Sequence, residues 1–145
     1  MKTTLRVLVV DRSEFDTQIE ISLLRRSGYE ITSQRVETAD SYRAALKAEP
    51  WDVILVDYSL PMLSALEALR ILQESGLDIP FIIVTGGAGE GTLVEAMKAG
   101  AADYVIKGNL NRLAPAVVRE LRHAAVRRER SEAMAALRES EHPGL

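Results

Sequence analysis

The segment VLVVDRSEFD, residues 7–16, sets the fold of this chain. Its four leading apolar residues predict a strand that is buried on both faces of a parallel sheet. The strand runs into a carboxylate, Asp11, and a basic residue, Arg12, follows directly. Because open α/β sheets place functional groups at the ends of such strands, the segment also predicts a site.

The composition narrows the class of protein. The 145 residues suit one domain with a short extension, and 47% hydrophobic and 27% charged residues are ordinary for a globular protein. A net charge of −3 favours neither nucleic acid nor an acidic membrane as a partner. The absence of cysteine excludes disulfides and thiolate metal sites. With no membrane-length apolar run and no signal-peptide pattern, we expect a cytoplasmic protein.

Strand-like and helix-like segments alternate five times along the chain. The strand-like runs are residues 5–10, 31–36, 53–56, 81–84 and 103–106. Right-handed crossovers between parallel strands then predict an α/β doubly wound sheet with helices on both faces. The first helix, residues 14–26, carries Phe15, Ile19 and Leu23 at four-residue spacing, which predicts that these residues form its apolar face.

The last helix is longer than the domain needs. Past about residue 126 its sequence turns charged. The apolar positions left there at near-heptad spacing are Val126, Ala133 and Leu137. We therefore predict a domain over residues 1–125, a helical tail over residues 126–145, and a weak homodimer through the tail.

Four strands end in a polar or charged residue. These residues are Asp11, Asp57, Thr85 and Lys107. The carboxyl ends of parallel strands share one edge of the sheet, so two carboxylates, a hydroxyl and an ammonium should converge there. Carboxylates suit Mg²⁺, and one of them can attack phosphorus to form an aspartyl phosphate. A lysine and a hydroxyl can then hold the phosphoryl oxygens.

These residues resemble the receiver domains of bacterial response regulators. The likeness rests on Asp11, on DVILVDYSLP around Asp57, on Thr85, and on AGAADYVIK ending in Lys107. It implies that Asp57 is the phospho-acceptor and that Asp11 and Asp57 bind Mg²⁺. It also implies that Lys107 faces the phosphate, and that Thr85 and Tyr104 are the switch residues.

The resemblance covers about residues 4–124 and implies a flavodoxin-like sheet with strand order 2-1-3-4-5. It implies a conformational switch of a two-component phosphorelay rather than a turnover enzyme, with a histidine kinase or phosphotransfer protein as partner. The segment KGNLNRLAPAVVREL is similar to a subgroup in which glycine, here Gly108, follows the lysine. In that subgroup the tail resembles a helix that links a receiver to a PAS domain or kinase module.

Arg12 departs from the family pattern, which has a second acid here for direct metal ligation. Three carboxylates and one lysine sum to −3 + 1 = −2, which matches Mg²⁺. In this chain Asp11 and Asp57 against Lys107 and Arg12 sum to −2 + 2 = 0. A change of this size beside a divalent ion is worth several kcal/mol at an effective dielectric constant of about 20.

Three interpretations of Arg12 follow. It points outward while Glu14 or Asp16 supplies the missing oxygen, or it pairs with Asp57 and makes a phosphorylation-independent pseudo-receiver, or it is a surface residue beside a weakened site. We favour a weakened metal site that keeps its acceptor. A further alternative is a small aspartate-nucleophile phosphatase acting through Asp11, although the second acid of that motif is missing.

Overall fold

Strands and helices alternate along the chain, as predicted. A computed structural model describes residues 3–87 and 90–141. The strands in these residues are β1 (Thr3–Val10), β2 (Tyr29–Val36), β3 (Val53–Asp57), β4 (Phe81–Thr85) and β5 (Asp103–Ile106). The helices are α1 (Glu14–Arg26), α2 (Ala39–Ala48), α3 (Ala65–Ser75), α4 (Glu90–Ala99) and α5 (Leu113–Glu141), and a 3-10 helix (Lys107–Arg112) precedes α5.

The strands form one parallel sheet with the order β2-β1-β3-β4-β5, which confirms the predicted flavodoxin-like topology. Val10 of β1 is paired with Val56 of β3, and Asp57 is paired with Val84 of β4. The central strands therefore end close together at one edge of the sheet. This edge is the topological switch point, where open sheets bind their ligands.

Alternate residues of the central strands face two separate apolar layers, as the two-residue period of a strand requires. Leu8 and Ile54 pack with α2 and α3 on one side, and Val9 and Leu55 pack with α1 and α5 on the other. All four side chains are fully buried. At roughly 25 cal/mol per Å² of buried apolar surface, each contributes about 2 kcal/mol. The two layers therefore hold the strand ends in a fixed frame.

Helix α1 has the predicted bounds, but the prediction of its apolar face was wrong. Phe15 is 74% exposed, and Ile19 and Leu23 are only half-buried. The buried face consists of Thr17, Glu20, Ile21 and Leu24. Two of these four residues are polar, and hydrophobic periodicity assigns polar residues to the surface, so the pattern pointed to the wrong side of the helix.

Helix α5 continues from the domain into the tail without a break, which confirms the extended C-terminal helix. Arg127 forms a bidentate ion pair with Asp78, with Nε 2.9 Å from Oδ2 and Nη2 3.1 Å from Oδ1. Three apolar side chains around and beyond this contact are exposed, namely Val126, Met134 and Leu137. Residues 142–145 of the predicted tail lie outside the described residues, and the division at residue 125 stays a prediction. Within residues 3–87 and 90–141, no helix is long and apolar enough to cross a bilayer.

Candidate functional site

The sheet edge brings together the four residues that follow or end the predicted strands. Asp57 is the last residue of β3 and Thr85 the last of β4, while Asp11 and Lys107 directly follow β1 and β5. Lys107 Nζ lies 3.3 Å from Asp57 Oδ1, which is an ion pair across the edge. Side chains that are at least 22 residues apart in sequence thus share one edge because their strands end together.

Asp57 lies at the rim of the sheet and is only 8% exposed. Its Oδ1 also accepts a hydrogen bond from the backbone N–H of Ser59 at 3.3 Å. The backbone N–H of Tyr58 donates to the carbonyl of Val84 at 2.9 Å, which ties the segment after β3 to β4. The carboxylate is therefore held by the sheet on one side and by its own following turn on the other.

Asp11 is a buried carboxylate whose Oδ1 accepts a hydrogen bond from the backbone N–H of Ser13 at 2.8 Å. Burial raises the pKa of Asp11 to about 6; the Ser13 hydrogen bond opposes this rise, and the charge of Asp57 adds to it. A buried carboxyl with a raised pKa is stabilised in its ionised form when a cation binds beside it. Asp11 is therefore chemically suited to a metal position.

Thr85 and Tyr104, the two predicted switch residues, line the same cavity. Thr85 is buried, and its Oγ1 accepts a hydrogen bond from the backbone N–H of Gly87 at 3.2 Å. Tyr104 is half-buried on β5. The cavity measures about 540 Å³, and its apolar walls include Leu93, Val94, Met97 and Ile106. The hydroxyl and the aromatic ring therefore adjoin one apolar space beside α4.

Arg12 takes no part in the ion pairs of this pocket. Its side chain is exposed and forms no ion pair within the described residues, and Asp57 pairs with Lys107 instead. The interpretation in which Arg12 takes the place of the metal at Asp57 is therefore not the arrangement found. Of the two candidates for the missing acid, Glu14 is exposed, whereas Asp16 is half-buried with Oδ2 3.1 Å from Lys107 Nζ.

Asp16 changes the charge balance of the pocket. If the exposed Arg12 is left out of the count, the pocket holds three carboxylates (Asp11, Asp16 and Asp57) and one ammonium, so the formal sum is −3 + 1 = −2. That sum equals the one the family pattern gives with its second acid. Asp16 thus supplies the negative charge that the missing acid would have given, but its carboxylate contacts Lys107.

Glu20 is a site residue that the sequence prediction missed. It is 3% exposed, and its Oε2 has no hydrogen-bond partner within the described residues. Together with Asp16 and Lys107 it lines a cavity of about 160 Å³. Burial raises the pKa of Glu20 to about 8, and the charge of Asp11 adds to the rise, so the carboxyl is neutral at pH 7. Its four-residue spacing from Asp16 was the available signal, because residues at that spacing share a helix face.

The pocket offers carboxylate oxygens, which suit Mg²⁺, but few of them. The described residues contain no group of three or more His, Cys, Asp or Glu side chains that could hold a metal ion. Asp11 and Asp57 are carboxylates, the ligand type that Mg²⁺ prefers. Because Mg²⁺ keeps near-octahedral coordination, the remaining oxygens must come from water, backbone or the phosphoryl group.

Comparison with known proteins places the chain among receivers. The response regulator receiver domain family matches residues 7–118. A protein-glutamate methylesterase/protein-glutamine glutaminase of Archaeoglobus fulgidus is 31% identical over 83% of this chain and 36% of that protein. The transcriptional regulatory protein PrrA of Mycobacterium tuberculosis is 32% identical over 72% of this chain and 44% of that protein. The chemotaxis protein CheY of Thermotoga maritima is 22% identical over 70% of this chain and 84% of that protein.

Solved structures agree with this placement. The receiver domain of sensor histidine kinase PA1611 from Pseudomonas aeruginosa PAO1, solved with a magnesium ion in its active-site cleft, has a TM-score of 0.67 at 25% identity. That comparison covers 82% of this chain and 98% of the other. NtrX from Brucella abortus has a TM-score of 0.78 at 25% identity, over 90% of this chain and 30% of that protein.

The chain belongs to the response regulator receiver domain family. It is a receiver of two-component signal transduction, homologous to CheY and PrrA. It spans well under half the length of two of the relatives described above, at 36% and 44%.

Proposed function

We propose that Asp57 accepts a phosphoryl group from the phosphohistidine of a histidine kinase or phosphotransfer protein, and that the chain then acts as a conformational switch. The 3.3 Å contact between Lys107 Nζ and Asp57 Oδ1 carries this proposal. An ammonium at this distance from a nucleophilic carboxylate is placed to bind the phosphoryl oxygens as the transfer proceeds.

In the proposed transfer, a carboxylate oxygen of Asp57 attacks phosphorus in line with the leaving imidazole nitrogen. The P–O bond forms as the P–N bond breaks, and the leaving imidazole takes up a proton. Positioning and electrostatics supply most of the catalysis in such transfers, so the receiver needs little more than a fixed acceptor and a fixed cation. The product is the protein itself with an aspartyl phosphate at residue 57. The chain is therefore a switch rather than a turnover enzyme.

Asp11 and Asp57 are the residues that we propose to hold Mg²⁺, which when bound would neutralise charge on the phosphoryl oxygens. We propose that this site is weakened. Arg12 stands where the family has a ligating acid, and Asp16, which restores the negative charge, contacts Lys107. A cation site with two protein carboxylates depends on water and phosphoryl oxygens for most of its coordination.

Thr85 and Tyr104 are the proposed switch. Thr85 Oγ1 accepts a 3.2 Å hydrogen bond from the backbone N–H of Gly87, and its own O–H can be donated to a phosphoryl oxygen on Asp57. A shift of Thr85 would open space in the 540 Å³ cavity into which the ring of Tyr104 can turn. The result would be a changed surface around α4 and β5.

For partners, we propose a histidine kinase or phosphotransfer protein, a weak homodimer through the tail, and a PAS or kinase module following α5. The exposed apolar side chains of the tail, Met134 and Leu137, support the homodimer. We propose a cytoplasmic location, which agrees with the lack of cysteine.

Intact mass after incubation with acetyl phosphate and Mg²⁺ tests the function. We expect a gain of one phosphoryl in the wild type and none in Asp57→Asn. No gain in either chain would support the pseudo-receiver, for which the small metal donor set is the favouring observation. Steady phosphate release that needs Asp11 but not Asp57 would support the phosphatase.

A further inference from the structure

We propose that Asp16 is a positioning residue for Lys107. It holds the ammonium from the α1 side, keeps it against Asp57, and leaves Asp11 free for a cation. The inference rests on the proposed function, because it assigns to Asp16 the task of preparing Lys107 for the phosphoryl group.

The geometry of Lys107 is that of an ammonium with two anchors. Its Nζ lies 3.1 Å from Asp16 Oδ2 and 3.3 Å from Asp57 Oδ1. Within the described residues Lys107 forms no ion pair with Asp11, although that carboxylate belongs to the same pocket. The side chains of Lys107 and Asp16 are only about one-third exposed, at 32% and 35%, so water screens their contact less than it screens a surface pair.

Asp16 is itself firmly held. It lies in the first turn of α1, where its backbone N–H donates to Oγ of the N-cap residue Ser13 at 3.1 Å. A carboxylate there also interacts favourably with the helix dipole. Because α1 packs against the sheet through Ile21 and Leu24, the position of Asp16 relative to β5 is set by the core.

The walls of the adjoining cavity leave Lys107 few other charged partners. This cavity of about 160 Å³ is lined by the apolar residues Ile19, Val84 and Leu110 and by Asp16, Glu20 and Lys107. Glu20 Oε2 has no hydrogen-bond partner within the described residues, whereas Asp16 Oδ2 lies 3.1 Å from Lys107 Nζ. Asp16 is therefore the carboxylate that can fix the ammonium from α1.

A second contact restricts the conformational freedom of a lysine side chain. The side chain has four rotatable bonds and about 2 kcal/mol of rotamer entropy, so one contact leaves the ammonium many positions. The charge of Lys107 already acts on Asp11, and an ammonium that moved to Asp11 in the absence of Asp16 would compete with a cation for that carboxylate. Two anchors keep Lys107 in place before the phosphoryl group arrives.

The first test is the rate of phosphorylation by acetyl phosphate in saturating Mg²⁺. We expect Asp16→Asn to lower the maximal rate about tenfold, with less than a twofold change in the acetyl phosphate concentration that gives half the maximal rate. Asp16→Glu should restore most of the rate. Asp40→Asn is the matched control, because Asp40 is an exposed acid in the first turn of α2, and it should leave the rate unchanged.

Measuring the effect of Asp16→Asn in a Lys107→Ala background shows whether Asp16 acts on the rate through Lys107 or directly. If Asp16 acts through Lys107, Asp16→Asn has no further effect on the rate in that background. A further tenfold loss would mean that Asp16 acts directly, as a metal ligand for example, and would overturn the proposal. An unchanged rate for Asp16→Asn in the wild-type background would also overturn it.

The second readout needs neither metal nor phosphoryl donor. In chelator, the Tm losses of Asp16→Asn and Lys107→Ala should be non-additive, because both remove the same contact. Additive losses would overturn the proposal. If the wild type takes up no phosphoryl group, the proposed function fails, and this cycle alone decides whether Asp16 holds Lys107.

Discussion

Lys107 Nζ lies 3.3 Å from Asp57 Oδ1, although β4 separates the strands from which the two residues come. Burial lowers the pKa of Lys107, but the hydrogen bond to Asp16 and the charge of Asp57 outweigh burial, so the pKa is raised above its ordinary value. The ammonium therefore stays charged at physiological pH. The pairing of this fixed cation with a rim carboxylate is the feature on which the proposed phosphoryl transfer depends.

Replacing Arg12 by aspartate should strengthen the metal site. Arg12→Asp removes a positive charge and places an oxygen ligand where the family pattern has one, so we expect tighter Mg²⁺ binding and faster phosphorylation. In chelator the variant should melt below the wild type, because more carboxylates then face each other without a cation. Added Mg²⁺ should raise its Tm more than that of the wild type, since a ligand of the folded state stabilises it by mass action.

The control for this substitution is Arg70→Asp, which makes the same charge change at an exposed position of α3. It should not alter the response of the Tm to Mg²⁺. Equal Mg²⁺ gains for the wild type and Arg12→Asp would contradict the weakened site, because another oxygen would then already complete the coordination.

Glu20 should make the protein less stable as the pH rises. The folded-state pKa of Glu20 is about 8 against 4.5 for the free side chain. Between these values the unfolded chain releases the proton while the folded chain keeps it, so the free energy of unfolding falls with rising pH. The loss is on the order of 3 kcal/mol at pH 7 and is complete above pH 8.

Glu20→Gln removes this titration. Chemical unfolding at pH 5 and pH 8 should show a smaller difference in stability for the variant than for the wild type, with the variant the more stable at pH 8. Glu14→Gln, at an exposed position, should behave as the wild type does. If Glu20→Gln shows the same pH dependence as the wild type, Glu20 ionises normally in the folded protein and is not a neutral buried carboxyl.

The sequence could predict the strands and their order, because apolar runs and the alternation of strand and helix are visible in it. Valine-rich runs ending at Asp11 and Asp57 marked central strands, and the order of elements then limited the topology. The orientation of α1 could not be predicted in this way. Its buried face includes Thr17 and Glu20, and the burial of a carboxyl depends on tertiary neighbours that no periodicity encodes.

The site was predictable to the level of strand ends and no further. Sequence position brought Asp57 and Lys107 to one edge, but it left Glu14 and Asp16 equivalent as replacements for the missing acid. Asp16 reaches Lys107 because α1 begins at Glu14 and the N-cap residue Ser13 accepts a hydrogen bond from the backbone N–H of Asp16. The exposure of Arg12 likewise depends on the loop between β1 and α1.

The tail should mediate a weak self-association. A chain that ends at Arg127 keeps the ion pair with Asp78 and loses the exposed apolar residues Met134 and Leu137. In sedimentation velocity over a range of concentrations, we expect the full chain to associate weakly and the shortened chain to stay monomeric. Leu137→Gln in the full chain should reduce association. Equal association of the full and shortened chains would place the interface in the domain.

The most direct measurement of the central claim locates the phosphoryl group. An acyl phosphate is reduced by borohydride, which converts the phosphorylated aspartate to homoserine, and peptide mass spectrometry then identifies the position. After treatment with acetyl phosphate and Mg²⁺, the account predicts homoserine at residue 57 and none in a sample that received no phosphoryl donor. Homoserine at residue 11 or 16, or at no position while the chain remains folded, would contradict the assignment of Asp57 as the acceptor.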